Sequence, residues 1–450
     1  MNADPRRRAV AWMTAALTIS FIVTAVFYIG VAAISHPTPD TFKRALKATA
    51  PAQVLRLQDL STTDSWRPML RAYQAKLEDP KGDLYAVFFV DHIKFQYPPP
   101  SLLMFDLFPR SMTRIDGDLV ARPLRRVLAW LSQGAVALTV LTSALIFELG
   151  LRRLPSHRPA SPARVAVSIG LSAALGVSYY PVLFGHFLGQ MQVFLNALLA
   201  LAVLFYVIRR PTLAGLCVGA CCLVKPHYGL LLVWSALTRQ WRFAVGFVGV
   251  VVAGFVVSIT RFGLADHLRY LDVLRVLSLG EYYWTNQSVN GLLNRLYEHG
   301  SQLQPVNTEF APYHPVVYAV TMLSSVAMLA VAFWPYRRGP RADRGPLDLM
   351  VLLVAVTLAS PIVWIHHYGA FLPIFAALLP GLLSARPLGR ATIPLFSASY
   401  LGTANLLVWP PLMFLNPWIG LTGSVMFYAG GTFLGLLLAV RAAGGQPGPS

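Results

Sequence analysis

Few residues in this chain are equipped for chemistry, and they fall in a small number of places. Of 450 residues only 19 are Asp or Glu, so each carboxylate in an apolar setting is conspicuous. Asp64 stands at the start of an amphipathic stretch in which Trp66, Met69, Leu70, Tyr73 and Leu77 recur at helical spacing. It suits a helix cap; it equally suits a carboxylate held at a membrane surface as a general base. Lys225-Pro226-His227 interrupts an apolar run. A lysine there is costly unless it is paired or wet, which marks it as functional by default. The proline beside it breaks the helix and leaves the lysine at a helix end, where an anion such as a lipid phosphate would meet it; snorkelling to the interface is the bland alternative. His366-His367 follows Ser360-Pro361-Ile362-Val363-Trp364. Adjacent side chains point apart, so these histidines suit donors to a phosphate better than a metal pair.

Amides make a second group. Gln192 and Asn196 share one helix face, and His186 and Gln190 another; packing between helices is their ordinary use. Asn286-Gln287-Ser288, with Asn290 and Asn294, follows Glu281-Tyr282-Tyr283-Trp284. Aromatic planes beside amides fit sugar faces and hydroxyls, although interfacial aromatic belts look alike. Phe95-Gln96-Tyr97-Pro98-Pro99-Pro100 reads as an extended, solvated connector that forbids helix until about Ser101. No helical metalloprotease signature, carboxylate triad or Cys/His cluster occurs, and the expectation is no metal and no cofactor. Cys217, Cys221 and Cys222 share one apolar helix, and no disulfide is expected.

The elements that must position these residues are membrane helices. Hydrophobic residues make up 56% of the chain, charged ones 12%, and mean hydropathy is +0.56. Soluble domains carry about twice that charge. Apolar runs able to cross about 30 Å of hydrocarbon fall near 9–34, 127–149, 165–184, 187–208, 212–237, 243–260, 315–334, 347–364, 368–384, 391–409 and 418–440. The 212–237 run, broken at Lys225-Pro226, reads as a hairpin of two short helices, although one kinked span is the other reading. That makes about 12 helical segments. The first run follows Arg6-Arg7-Arg8 and reads as a retained signal anchor. A net charge of +18 invites a nucleic-acid reading. The positive residues instead sit in short connections: Arg152/Arg153/Arg158/Arg164, Arg209/Arg210, Arg239/Arg242, Arg337/Arg338/Arg341/Arg344 and Arg386/Arg390. That is a topogenic pattern, with cytoplasmic N- and C-termini and no nucleic-acid partner. Two longer segments, 35–126 with interfacial helices and 261–314, face outward. Residues 1–440 form one integral-membrane domain and 441–450 a disordered tail. Glu148, at a cytoplasmic helix end, is expected to meet water. A polytopic transporter or lipid flippase is the alternative class, and it would need mid-membrane carboxylates that this chain almost lacks.

In this order the motifs resemble those of the family-87 glycosyltransferases: Asp64 to Ala75, Leu84-Tyr85, Phe95-Gln96-Tyr97-Pro98-Pro99, Gly189-Gln190 with Gln192 and Asn196, Ala214-Gly215 leading to Lys225-Pro226, Asn286-Gln287-Ser288, and Ser360-Pro361 with Trp364 and His366-His367. The resemblance covers roughly residues 60–385. It implies an all-α polytopic GT-C glycosyltransferase fold in the inner membrane. The implied reaction transfers a hexose, mannose first among candidates, from a polyprenyl phosphate to a lipid-linked or glycan hydroxyl on the outer face. Asp64 becomes the base, with Asp59 as the alternative. Lys225, His366 and His367 become the donor-phosphate site, and Tyr97, Gln190, Gln192, Asn196, Asn286 and Gln287 the substrate-binding positions.

Overall fold

The computed structural model describes residues 4–34, 63–116, 119–154, 159–297, 310–334, 345–385, 389–404 and 423–443, with His299 and Leu421. Helix α1 (Pro5–Ile34) is followed by α2 (Trp66–Glu78), α3 (Arg122–Arg152), α4 (Pro162–Ser178) and α5 (Tyr180–Phe187). Next come α6 (Gln192–Val207), α7 (Pro211–Val224), α8 (Leu230–Leu237), α9 (Trp241–Phe262), α10 (Leu264–Leu277) and α11 (Val289–Leu296). Then follow α12 (Pro315–Phe333), α13 (Gly345–Leu358), α14 (Leu372–Ala385), α15 (Thr392–Thr403) and α16 (Val425–Ala442). Pro99–Leu107, Pro226–Gly229 and Ile365–Phe371 are 3₁₀ segments, and a two-residue hairpin pairs β1 (Ile115–Asp116) with β2 (Leu119–Val120) in antiparallel register. Pro162, Pro211 and Pro315 open their helices, where the missing N–H costs nothing.

This is a helical, multi-pass membrane protein. Among the described residues five helical stretches are long and apolar enough to cross a bilayer: α3, α9, α12, α16 and the continuous run Ile365–Ser384. The α4–α5 pair, bent by 52°, makes a sixth if it is one span. Shorter apolar helices α6, α7 and α13 pack among them. Val245, Val248, Val252 and Val256 of α9, and Val316, Val320, Leu323 and Val326 of α12, are exposed at helical spacing. Hydrocarbon covers such faces without cost. From Leu349 to Leu358 helix α13 is buried on every side, as the centre of a bundle must be. Phe375 of α14 stacks on Phe433 of α16 at 3.9 Å, tying the last helices to that centre.

The 212–237 run is a hairpin. Helix α7 ends at Lys225, whose backbone is extended (φ −133°, ψ 96°) because a residue before proline is pushed out of the helical region. Glycines then show which way the helices run. A Cβ on Gly246 would lie 2.1 Å from the carbonyl of Thr212, one on Gly215 2.1 Å from that of Phe243, and one on Gly254 2.4 Å from the side chain of Leu223. Residue numbers rise together along both helices, so α7 and α9 are parallel and α8 returns between them. Small residues at spacing four allow this backbone approach.

Four expectations need correcting. Helix α2 forms as its periodicity predicts, but Trp66, Met69, Leu70 and Tyr73 are buried in protein. They pack with Phe95, Phe105, Leu124 and Leu128 in a second core, because the 3₁₀ segment and α3 fold over that face. The interfacial pattern belongs to α10, whose Leu264, Leu268 and Leu271 are exposed along one stripe while Tyr270 and Val273 face inward. Pro98, Pro99 and Pro100 are buried, and the 3₁₀ turn begins at Pro99. Glu148 does not meet water: its carboxylate accepts two bonds from Arg6, at 2.7 and 2.8 Å, and one from Arg152 at 2.9 Å. Helix α16 also runs on to Ala442, with Arg441 donating to the carbonyls of Ala332 and Val331, so Arg441 and Ala442 are helical. Residues 444–450 lie outside the described residues.

Candidate active site

The site is built around the tight turn that joins α5 to α6. Gly189 takes φ 64°, which only glycine adopts freely. The turn presents the carbonyls of Leu188 and Gly189, and these accept the backbone N–H groups of Asp64 (2.9 Å) and Ser65 (3.2 Å). The start of α2 is thereby pinned to the turn by main chain alone.

Side chains complete the clamp. Ser65 Oγ donates to Gln190 Oε1 at 2.7 Å and accepts from the N–H of Met191 at 3.1 Å, while Tyr97 Oη lies 2.9 Å from Ser65 Oγ. With its oxygen so occupied, Gln190 must present Nε2 to Asp64 Oδ2, and it does. Asp64 is therefore no helix cap: Ser65 holds the N-cap position, and no N–H of α2 reaches the Asp64 carboxylate among the described residues. One side of the carboxylate is open to solvent. Protein crowds the rest, and this desolvation raises its pKa above the usual carboxylate range, against the opposing pull of Gln190 and then Lys94. Lys94 pairs with Glu281 at 2.8 Å and sits 4.4 Å from the ring centre of Phe310. Burial raises the Glu281 carboxyl, with Lys94 opposing. Asp59 lies outside the described residues.

The end of α5 meets the segment that carries the histidines. A Cβ on Gly185 would lie 3.3 Å from Cβ of His366, so α5 seats the 3₁₀ segment directly. Asn196 Nδ2 donates to the carbonyl of His366 at 3.2 Å, and Asn196 Oδ1 accepts from Gln192 Nε2 at 2.9 Å. Gly369 has to be glycine here, because its Cβ would fall 2.2 Å from Asn196 Nδ2. Lys225 Nζ reaches His367 Nε2 at 2.6 Å. His227 and His366 lie close to Lys225 as well. Both ring nitrogens of His366 are buried without a hydrogen bond. No carboxylate pairs with Lys225 among the described residues. Nor do three of His, Cys, Asp or Glu come together there as a metal would need.

Asn286 and Gln287 behave differently. Asn286 Nδ2 donates to the carbonyls of Glu281 and Pro361, at 2.8 and 3.2 Å, and its Oδ1 accepts the N–H of Val363 at 2.9 Å. Gln287 Nε2 donates to Trp284 and Gly423 carbonyls, both at 2.7 Å. With the bridge between Asn286 and Trp364, these amides staple the 281–288 loop onto the segment that carries the histidines. The staple leaves Tyr283 and Trp364 partly exposed, their rings 6.4 Å apart, with Tyr283 near Asp64. Ser65 and Arg295 are the residues that motif reading missed. Arg295 is fully buried and donates to the carbonyl of Asn286 at 2.8 Å and to Ser424. Nothing in its sequence context separates it from a solvated arginine on an amphipathic helix.

The model of glycosyltransferase family 87 matches residues 95–361, more than half of the chain, and the chain belongs to that family. The matched segment holds Gln190, Lys225 and Asn286, whereas Asp64 precedes it and His366-His367 follow it. Among similar proteins is a polyprenol-phosphate-mannose-dependent alpha-(1-2)-phosphatidylinositol mannoside mannosyltransferase of Mycobacterium tuberculosis, 26% identical over 339 residues, or 71% of this chain and 69% of the relative. A second, the corresponding pentamannoside mannosyltransferase of the same species, is 31% identical over 201 residues, 44% of this chain and 43% of the relative. No solved structure matches. The protein is a membrane glycosyltransferase.

Proposed function

We propose that this enzyme transfers mannose from a polyprenyl-phosphate donor to a hydroxyl of a lipid-linked or glycan acceptor at the outer face of the inner membrane, on a GT-C arrangement of about 12 membrane segments in one domain with both termini cytoplasmic. The donor and a phosphatidylinositol mannoside acceptor are those named for the relatives. The observation that carries the mechanism is that one short stretch, residues 185–190, from the last turn of α5 into the loop after it, holds the Asp64 carboxylate through Gln190 and also seats His366, beside the Lys225–His367 pair. The base and the first of the phosphate donors are thereby fixed to one piece of backbone.

Asp64 takes the proton of the acceptor hydroxyl as its oxygen attacks the anomeric carbon. The bond from that carbon to the phosphate oxygen breaks in the same displacement, with inversion, and the electron pair leaves on polyprenyl phosphate. A raised pKa improves Asp64 as a base. Negative charge growing on the lipid phosphate is met by Lys225 with His366 and His367, in surroundings too apolar to screen the attraction. Tyr283, near Asp64, and Trp364, next to Tyr283, offer partly exposed rings for a sugar face, while Tyr97, Gln190, Gln192 and Asn196 shape and orient the cleft. No step requires a cofactor.

The test is transfer of radiolabelled mannose from polyprenyl-phosphate mannose into membrane lipid, comparing wild type with Asp64→Asn at equal amounts of folded protein. Loss of incorporation only in the variant is expected. Equal incorporation would move the base elsewhere, and none in either would reject the donor sugar or the acceptor.

A further inference from the structure

A cavity of about 400 Å³ lies between α1 and α4, remote from the catalytic turn and unused by the reaction. Its walls are apolar: Val10 and Ala11 from α1, Ala163 and Val167 from α4. At its mouth stand Arg7 and Arg164, both exposed and neither in an ion pair among the described residues. Arg6 is locked onto Glu148. Asp4, whose Oδ1 accepts the backbone N–H of Arg6, sets one negative charge against the two positive ones of Arg7 and Arg164. The balance at the cavity is therefore cationic, and its apolar part is open, since Ala11, Ala163 and Val167 are exposed.

We propose that this groove is a binding site for one anionic glycerophospholipid, its phosphate held by Arg7 and Arg164 and one acyl chain lying along Val10, Ala11 and Val167. Two guanidinium groups present paired N–H donors to a phosphate, and basic pockets between membrane helices recognise anionic headgroups in this way. In the orientation proposed above the groove faces the cytoplasmic leaflet, where such lipids attract basic residues. The lipid would bridge α1 to α4 over the buried Arg6–Glu148–Ser168 cluster and hold the amino-terminal helix on the bundle. This does not depend on the transfer reaction.

Two variants separate the groove from simple surface attraction. Arg7→Gln with Arg164→Gln removes the charge; Val167→Trp fills the apolar channel and leaves the charge in place. Each is purified as the full chain in detergent, checked for unchanged thermal unfolding without added lipid, and titrated with phosphatidylglycerol and phosphatidylcholine while native mass spectrometry counts bound lipid. Wild type should prefer phosphatidylglycerol, and the double variant should lose about thirtyfold in affinity for it. Val167→Trp should lose binding comparably. Unchanged binding in both variants overturns the site. Loss in the double variant alone overturns the groove in favour of diffuse attraction, and loss in Val167→Trp alone overturns the anionic headgroup.

Discussion

Gln190 donates through Nε2 to Oδ2 of Asp64, 126 residues earlier in the chain, while its Oε1 accepts from Ser65, the next residue after that carboxylate. The amide cannot rotate without losing both bonds. It thus fixes where the Asp64 carboxylate points and leaves the other carboxylate oxygen for an incoming hydroxyl.

Replacing Gln190 should therefore change the pH profile as well as the rate. Asp64 must be ionised to accept a proton, so activity falls as pH drops through its raised pKa. Gln190 opposes the desolvation that raises that pKa. In Gln190→Leu the acid limb should move to higher pH, and kcat should fall by about tenfold or more, the worth of a hydrogen bond to a charged group. An unmoved acid limb in a folded variant would detach Gln190 from the base.

Lys225 contacts His367 at 2.6 Å, so the two share one proton along that contact. Lys225→Ala should lower kcat by about 10²-fold or more, on the scale of losing one preorganised charge-stabilising group. Lys225→Arg should recover part of the rate, because the cation returns at a different reach. The readout is steady-state transfer at saturating donor; a change confined to KM would mean that Lys225 only binds the ground state.

The Arg6–Glu148 pair predicts a non-additive stability pattern. Glu148→Leu alone leaves Arg6 buried without its partner and should cost about 3–5 kcal/mol. Arg6→Met combined with Glu148→Leu removes both charges and should cost far less. Denaturant unfolding of the two singles and the double gives the coupling energy, and additivity would show that the pair contributes nothing specific.

Packing of α7 on α9 can be tested with an internal control. A Cβ at Gly215 would collide with the Phe243 carbonyl, whereas one at Gly249 meets nothing within 4 Å. Gly215→Leu should destabilise the fold by about 1–3 kcal/mol or more and displace Lys225, which ends the same helix. Gly249→Leu should leave stability and transfer unchanged. Equal behaviour of the two would contradict the parallel packing.

Much of the candidate site was legible as residue types. Lys225 beside Pro226 was conspicuous because a charge in an apolar run is expensive, and His366-His367 because little else polar surrounds them. The roles of the amides were not legible. Gln190 and Asn286 look alike in sequence, yet one orients the carboxylate and the other is consumed by three main-chain contacts. Side chains of one chemistry diverge according to which backbone groups the fold leaves unpaired nearby. Glu148 was misjudged for a related reason: whether a terminal carboxylate meets water depends on whether another helix brings a cation to it.

Composition and periodicity alone determined that this chain lives in a bilayer, since no other solvent accommodates so many long apolar runs with so little charge. They also set the break at Lys225, because proline acts locally on the residue before it. Tertiary structure decided which apolar face meets lipid and which meets protein. Helices α2 and α10 are both amphipathic, but a second core buries the apolar face of α2, whereas α10 gives that core Tyr270 and Val273 and leaves Leu264, Leu268 and Leu271 exposed. Tertiary structure also decided that Asp64 is held by Gln190 rather than spent on a helix end. An amphipathic pattern records only that one face avoids water, and a carboxylate only that it wants donors; which partner supplies them depends on segments far apart in the chain.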